Sequence, residues 1–439
     1  MKKVIPLIWL CLVGLYTLVA QNPEKPRLIT GPVIGTVTAT TAKIWYAYRG
    51  DGSNMLTLCD TSEPAIFRPT RFEKINDAKG NFVQNVTFEG LVPGHTYRVT
   101  YALEPFFPHP KCLVTTLADT PVHDFNFLVG SCAYLSPGFA RIVFPGNAIR
   151  IFYYMKRKQS NFMVWLGDNV YYMFKDYRNY QNMFDRQLKI RNKFFLLGDF
   201  LNGQPNYATW DDHDYGWNNA DSTFPGKNDA VKVFKGFWPN DFEHGDTAAG
   251  IYYSFRQYDS EFFMTDNRWY LQPQGDTGGS FLGQQQLKWL QESLKKSDAT
   301  FKFVCIGSQV ISDAWIDDSY AKYPVERNQL LDFIIENNIP GVIFLTGDKH
   351  MTELSKLDWK GYPFYDFTCS PLTAPIVPTK NLPGYVNHYS VKKTVLYKKN
   401  FGRVSVSGPK DSRVCHIEVF RNGGKIKWDY TIPAAELQR

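Results

Sequence analysis

Five short apolar segments, each halting at small or polar residues, constrain this chain more than any other feature. They are FNFLVGSC (125–132), NFMVWLGDNVYY (161–172), NYATWDDHDYGWNN (206–219), FKFVCIGSQ (301–309) and GVIFLTGDKH (341–350). Runs this short and continuous predict strands buried on both faces of a sheet. Helical stretches fall between several of them: around Ala148 to Lys158, after Gly283 with Leu287, Leu290 and Leu294 on one face, and from Val325 to Asn337. Alternation of that kind predicts βαβ units and a layered α/β core. Ligands of such sheets collect beyond the carboxyl ends of the strands. The polar residues emerging there are Cys132, Asp168, Tyr171, Asp211, Asp212, His213, Asp214, Asn218, Asn219, Gln309, Asp348 and His350.

Taken singly, most of these have an ordinary explanation. A Gly-Asp at a strand end is usually a turn or a helix cap, and a lone cysteine is usually a small buried hydrophobe. Tyr171 alone would be core. A buried amide such as Gln309 is as well explained by bonds to the backbone. The run Asp211 to Asp214 differs, because three carboxylates and a histidine directly after an apolar strand are costly unless something positive binds there. Converging carboxylates repel unless cations neutralise them. Two cations sharing one carboxylate is an economical solution and serves phosphoryl transfer. His109, His123, His244, His388 and His416 lack such a setting and read as structural or surface residues.

The flanking regions are different. From about Pro26 to Pro121 the pattern is all-β, with alternation from Ile34 to Tyr48 and a Pro93-Gly94 turn between Leu91 and Tyr97. Val414 to Phe420 and Ile426 to Tyr430 flank Asn422-Gly423-Gly424, a hairpin signal. Lys2 and Lys3 precede an apolar run from Val4 to Val19, with Ala20 suited to cleavage before Gln21. This predicts an export leader over 1–20, a mature part in the periplasm or outside the cell, and no membrane span. The composition is that of a folded chain: 44% apolar and 21% charged over 439 residues, enough for two domains. The net charge of +7 is dispersed and gives no reason to expect nucleic-acid binding as a main role. Six cysteines follow the leader, and Cys59 and Cys112 fall in one region where export would permit them to pair. Neither HExxH, GxSxG nor a Walker loop is present; GGSFLG misses the second pattern by one position.

The motifs GSC (130–132), LGD (166–168), WDDHDYGWN (210–218), GSQ (307–309) and TGDKH (346–350), with LGQQQLKWL (282–290), together resemble the PhoD-like alkaline phosphatases. These belong to the calcineurin-like and purple-acid-phosphatase-like metallophosphoesterases. The Leu-x-Pro-Gly-x-x-Tyr arrangement at 91–97 resembles a fibronectin type III or immunoglobulin-like domain, with Tyr97 at the tyrosine-corner position. The resemblance implies a leader (1–20), a small all-β domain (21–121) and a catalytic domain (122–439) built as a layered β-sandwich flanked by helices. It implies a binuclear centre, Fe3+ with a divalent ion, Ca2+ first and Zn2+ or Mn2+ next. Cys132 and His350 would bind the iron-like site with Tyr171 as a tyrosinate, Asp168 would bridge, and Asp212 and Asp348 would bind the divalent ion, with Gln309 an uncertain neighbour. His213 would stay unligated and face the leaving group. The implied reaction is attack of a metal-bound hydroxide on a phosphate ester. A diesterase of phospholipase D-like type, acting on lipid, nucleotide or polymer diesters, and a non-catalytic carbohydrate- or polyanion-binding protein are the alternatives. One departure is Asn169, where the family often carries tyrosine.

Overall fold

Four β-sheets, stacked as two pairs, organise the chain. The computed structural model describes residues 26–50, 55–101, 112–135, 149–242, 250–273, 279–314, 319–377 and 385–439. The expected leader, His109 and His244 lie outside the described residues. No helix among the described residues is long and apolar enough to cross a membrane.

The first pair is N-terminal. Strands β1 (Arg27–Val37), β2 (Ala42–Arg49), β3 (Leu56–Asp60), β4 (Ile66–Phe67), β5 (Arg71–Asn76), β6 (Asn81–Phe88), β7 (Thr96–Tyr101) and β8 (Leu113–Thr115) form sheets ordered β1-β2-β6-β5 and β4-β3-β7-β8. Ile34, Ile44, Tyr46, Leu58, Val86, Tyr97 and their neighbours fill the space between them. The alternation from Ile34 to Tyr48 spans two strands. Thr38 Oγ1 accepts the N–H groups of Thr40 and Thr41, and that local turn reverses the chain. Tyr97 Oη accepts the Val92 N–H at 2.7 Å, tying the Pro93-Gly94 turn to the strand that follows. Cys59 and Cys112 are both free thiols, which corrects the pairing that the sequence allowed. Cys59 is in β3 and Cys112 lies beside β8, with β7 between them. Two inter-strand spacings, about 9–10 Å, exceed what a disulfide spans.

The second pair carries the five predicted segments. In chain order the elements are β9 (Phe125–Gly130), α1 (Arg150–Lys156), β10 (Phe162–Leu166), α2 (Tyr180–Lys193), α3 (Phe195–Leu201), β11 (Asn206–Thr209), α4 (Asp212–Tyr215), α5 (Lys227–Phe237), β12 (Tyr253–Gln257), β13 (Ser260–Met264), α6 (Gln284–Lys296), β14 (Phe301–Ile306), α7 (Pro324–Glu336), β15 (Val342–Thr346), β16 (Glu353–Trp359), β17 (Tyr362–Thr368), β18 (Asn400–Ser407), β19 (Val414–Arg421) and β20 (Ile426–Pro433). One sheet runs β11-β10-β9-β18-β19-β20, the other β12-β13-β14-β15-β17-β16. β9, β10 and β11 are parallel, as are β13, β14, β15 and β17. Phe127, Phe162, Phe262, Phe303, Leu345 and Val404 meet between the sheets. Helices cover the outer faces: α2 and α5 pack over the first sheet through Phe184, Phe234 and Phe237, and α6 and α7 over the second through Leu290 and Leu330. Parallel strands in both sheets therefore deliver their carboxyl ends to one rim.

The N-terminal sheets brace the second pair closely. Thr36 N–H donates to the Pro239 carbonyl at 2.9 Å. A Cβ at Gly35 would sit 1.8 Å from that carbonyl oxygen, so only glycine fits this approach.

Lys302 starts β14 fully buried, its ammonium donating to the carbonyls of Ala299 at 2.6 Å and Pro340 at 3.2 Å. Burial outweighs Glu261 and Asp298 and pulls its pKa down to about 8. The unfolded lysine holds its proton to a higher pH, so folding releases a proton between about 8 and about 10.4. Stability from this group therefore rises with pH across that window, by no more than about 3 kcal/mol. Urea unfolding at pH 7.5 and pH 10 should show that rise in the parent and lose it in Lys302→Met.

Candidate metal centre

Backbone conformation marks the site first. Cys132, Asp168, Asp348 and His350 all hold left-handed φ values, 58°, 56°, 66° and 52°. Such strain in non-glycine residues persists only where the surroundings impose it, and it clusters at functional sites. Here the turns after neighbouring strands of each sheet are tied backbone to backbone. Cys132 N–H donates to the Gly167 carbonyl, Ala133 N–H to the Asp168 carbonyl, and Gly347 N–H to the Gly307 carbonyl. A Cβ at Gly347 would lie 2.6 Å from the Leu166 carbonyl oxygen, so this crossing requires glycine.

The turns aim their side chains at one place. Tyr171 Oη donates to Asp168 Oδ2 at 2.7 Å and lies 3.2 Å from His350 Nε2. Cys132 Sγ is 3.5 Å from the same Asp168 oxygen. The other Asp168 oxygen, Oδ1, accepts the His213 N–H at 3.3 Å, and Asp212 Oδ1 accepts it at 2.9 Å. Ligand atoms of Cys132, Asp168 and His350 lie within 4.8 Å of one another, and so do those of Asp168, Asp212 and His213. Asp168 is common to both groups. The His213 ring stacks on Tyr171, centroids 4.2 Å apart.

Two predicted ligands stand outside these groups. Asp348 is one-fifth exposed and its Oδ2 is 2.7 Å from the buried Lys349 ammonium. Gln309 turns its amide into a separate network, donating to Glu353 Oε1 and Thr368 Oγ1, both at 2.9 Å. His388 and His416 are partnered outside these groups, by Asp313 and by Thr431.

Electrostatics fit a cation. Burial, then Asp212, Asp211, Asp214 and Asp348, push the Asp168 carboxyl well above its usual range. Burial, then Asp168 and Asp348, push the Cys132 thiol well up, and burial, then Asp168 and Cys132, do the same to the Tyr171 phenol. Burial lowers His350, which favours the neutral imidazole that ligates metals. Burial also acts to raise Asp212, but His213, Arg268 and the Asn219 N–H outweigh it and keep that carboxyl low. A buried thiol, phenol and imidazole packed around carboxylates is unfavourable as an empty cluster and favourable as a ligand set. The residues present therefore fit metal binding.

Three acidic-run neighbours are builders rather than donors. Asp214 accepts the N–H groups of Asn169 at 3.0 Å and Val170 at 2.8 Å, so it fixes the Asp168 turn. Asn169, the family departure, bonds the Thr209 carbonyl at 2.8 Å and Asp214 at 3.1 Å, and locks the same two turns together. Asp211 is paired with Arg268 at 2.5 Å, both fully buried, and accepts from Asn267 at 2.9 Å. Sequence reasoning missed Arg268. Its signal was a sixth strand end of the same design, FFMTDNR at 262–268, following β13. Breaking a buried pair leaves an uncompensated charge, so Arg268→Met should lose roughly 3–5 kcal/mol in urea unfolding. A loss below 1 kcal/mol would show that the pair does not hold the acidic run.

A family model described as PhoD-like phosphatase matches residues 127–412. Alkaline phosphatase D of Bacillus subtilis (strain 168) is 23% identical over 338 residues, 62% of this chain and 54% of that protein; the chain spans about half the length of this curated relative. A solved structure of PhoD superposes with a TM-score of 0.71 at 17% identity, covering 92% of each chain. The purple acid phosphatase PPD1 from yellow lupin (Lupinus luteus) seeds superposes with a TM-score of 0.66 at 10% identity, over 93% of this chain and 74% of that one. At these identities the likeness is one of fold, and it covers both sheet pairs.

Proposed function

Since this chain belongs to the PhoD-like phosphatase family, we propose that it is a metal-dependent phosphoesterase whose centre is the cluster around Asp168. The observation that carries this reading is the shared carboxylate, since Asp168 stands in both donor groups as a bridging ligand must. Cys132, Tyr171 and His350 beside Asp168 supply the thiolate, phenolate and imidazole suited to Fe3+. Asp212 and Asp348 supply the oxygens suited to a divalent ion, Ca2+ first and Zn2+ or Mn2+ next. For Asp348 this requires exchanging Lys349 for the ion. Gln309 serves as a fixed neighbour through Glu353.

Bound there, the cations would lower the pKa of a water towards ~7 and neutralise charge growing on the phosphoryl oxygens. The rest falls to the chain's own side chains. His213 is held by the Tyr171 ring and by its N–H bonds to Asp168 and Asp212. From that place it gives a proton to the leaving oxygen. Arg268 and Asp214 keep the acidic run in register. Residues 1–20 direct export to the periplasm or beyond, and residues 21–121 act as a fibronectin III- or immunoglobulin-like brace.

The test is hydrolysis of p-nitrophenyl phosphate and bis(p-nitrophenyl) phosphate beside elemental analysis. The reading expects chelator-sensitive monoester hydrolysis and a pair of bound cations. Turnover of the diester alone would move the activity to a phosphodiesterase. Metal-replete protein that cleaves neither would refute the proposal. A phenolate on Fe3+ should also give tyrosinate bands in resonance Raman spectra that Tyr171→Phe removes, whatever colour the Cys132 thiolate contributes; their survival in that variant would exclude Tyr171 as a ligand.

A further inference from the structure

The two turns that carry Tyr171 and His213 continue into an exposed aromatic surface. They are tied by the Tyr172 N–H bond to the His213 carbonyl at 3.0 Å. Beyond Tyr171 come Met173 and Phe174, 46% and 64% exposed; beyond His213 comes Trp217, 38% exposed. Tyr177 joins the two sides, 6.0 Å from Phe174 and 6.1 Å from Trp217 between ring centroids. These rings meet edge to face, at 88° and 76°, so each contact covers one face of one ring only. Trp217 is backed by Phe224 at 4.8 Å and 87°. The Arg178 guanidinium lies 4.1 Å over the Phe174 ring, so it covers one face of that ring and sets a positive charge beside the rest of the surface. Exposed apolar surface of this kind, contiguous and next to reacting groups, marks a binding site.

We propose that Phe174, Tyr177 and Trp217 form a platform for the leaving group, and that the preferred leaving group carries a flat aromatic ring, as a nucleoside does. This rests on the phosphoesterase reading above. Ring faces set at right angles beside a guanidinium accept a planar π-system and an anion together. An acyl chain would instead be matched by a continuous aliphatic groove. His213, four residues before Trp217, stacks on Tyr171, three residues before Phe174, so the proposed proton donor sits on the two chain segments that carry the platform.

Adenosine 5′-monophosphate and glycerol 3-phosphate test this, because both leave as primary alcohols and differ in the ring. The parent should favour the nucleotide, and Phe174→Ala or Trp217→Ala should reduce the ratio of kcat/KM values about tenfold, mainly through KM. An unchanged ratio would overturn the platform. Phe174→Leu keeps an apolar side chain and removes the ring, so it should behave like Phe174→Ala. If it retains the preference, the surface recognises apolar bulk rather than a ring, and the proposal fails. Titration with adenosine, followed by the Trp217 indole resonance, separates the two readings. Saturable shifts lost in Phe174→Ala support the platform even in a chain that hydrolyses neither ester, and their absence in the parent contradicts it.

Discussion

Asp168→Asn should abolish turnover and strip metal from both halves of the centre at once. Asparagine is the informative replacement because it tolerates the left-handed backbone, φ 56°, that this position adopts. It keeps the size and removes the charge. Each flanking residue touches one group of donors, whereas Asp168 belongs to both. Losing it should therefore lower the content of both ions, while a change at Cys132 should affect chiefly one. The expected fall in kcat/KM is at least about 10³-fold, because both charge stabilisation and the acidified water are lost together. Stability should move the other way without metal. Asp168 is a buried carboxylate facing Asp212, Asp211, Asp214 and Asp348, so in chelator the variant should resist urea better than the parent. Metal content and activity near parental levels would remove Asp168 from the centre.

His213→Ala should leave the metal content intact and reduce turnover by roughly 10²–10⁴-fold, the usual worth of a positioned general acid. The loss should depend on the leaving group. A phenol as acidic as p-nitrophenol departs with little protonation, whereas an alkyl alcohol needs the proton, so the deficit should be larger for glycerol 3-phosphate. This differs from the Asp168 result in the metal analysis. If His213→Ala also loses an ion, the histidine is a ligand, as the proximity of its ring to Asp168 and Asp212 permits. If its rate is unchanged for both substrates, it has no part in the proton step.

Much of this arrangement could be read from the amino acids alone. Each of the five apolar segments carries a strand that stops at the close of its apolar run, as Phe301–Ile306 does in FKFVCIGSQ and Val342–Thr346 in GVIFLTGDKH. Short continuous apolar strands are legible because burial on both faces leaves no polar position to confuse the pattern. Cys132, Asp168, Tyr171, Asp212, His213 and His350 were legible because each follows such a strand. Helices α2 and α5 were not read. Arg186, Gln187 and Arg191 of α2 are polar residues buried against the core, and they break the apolar stripe that a periodicity argument needs. Arg268 was missed for a related reason. Its partner, Asp211, lies 57 positions away, and nothing local pairs them. Asp214 reads only as part of the acidic run, because sequence shows charge but not direction; its oxygens face Asn169 and Val170. Lys349 carries no reading of its own within TGDKH, yet it is buried against Asp348.

Anomalous scattering from crystals grown with Fe3+ and Ca2+, recorded at the iron edge and at long wavelength, tests the central claim most directly. Two peaks sharing Asp168 are expected, the iron peak bounded by Cys132, Tyr171 and His350 and the other by Asp212 and Asp348. No peak at the Asp168 carboxylate, or metal bound only elsewhere while these side chains hold one another without it, would contradict it.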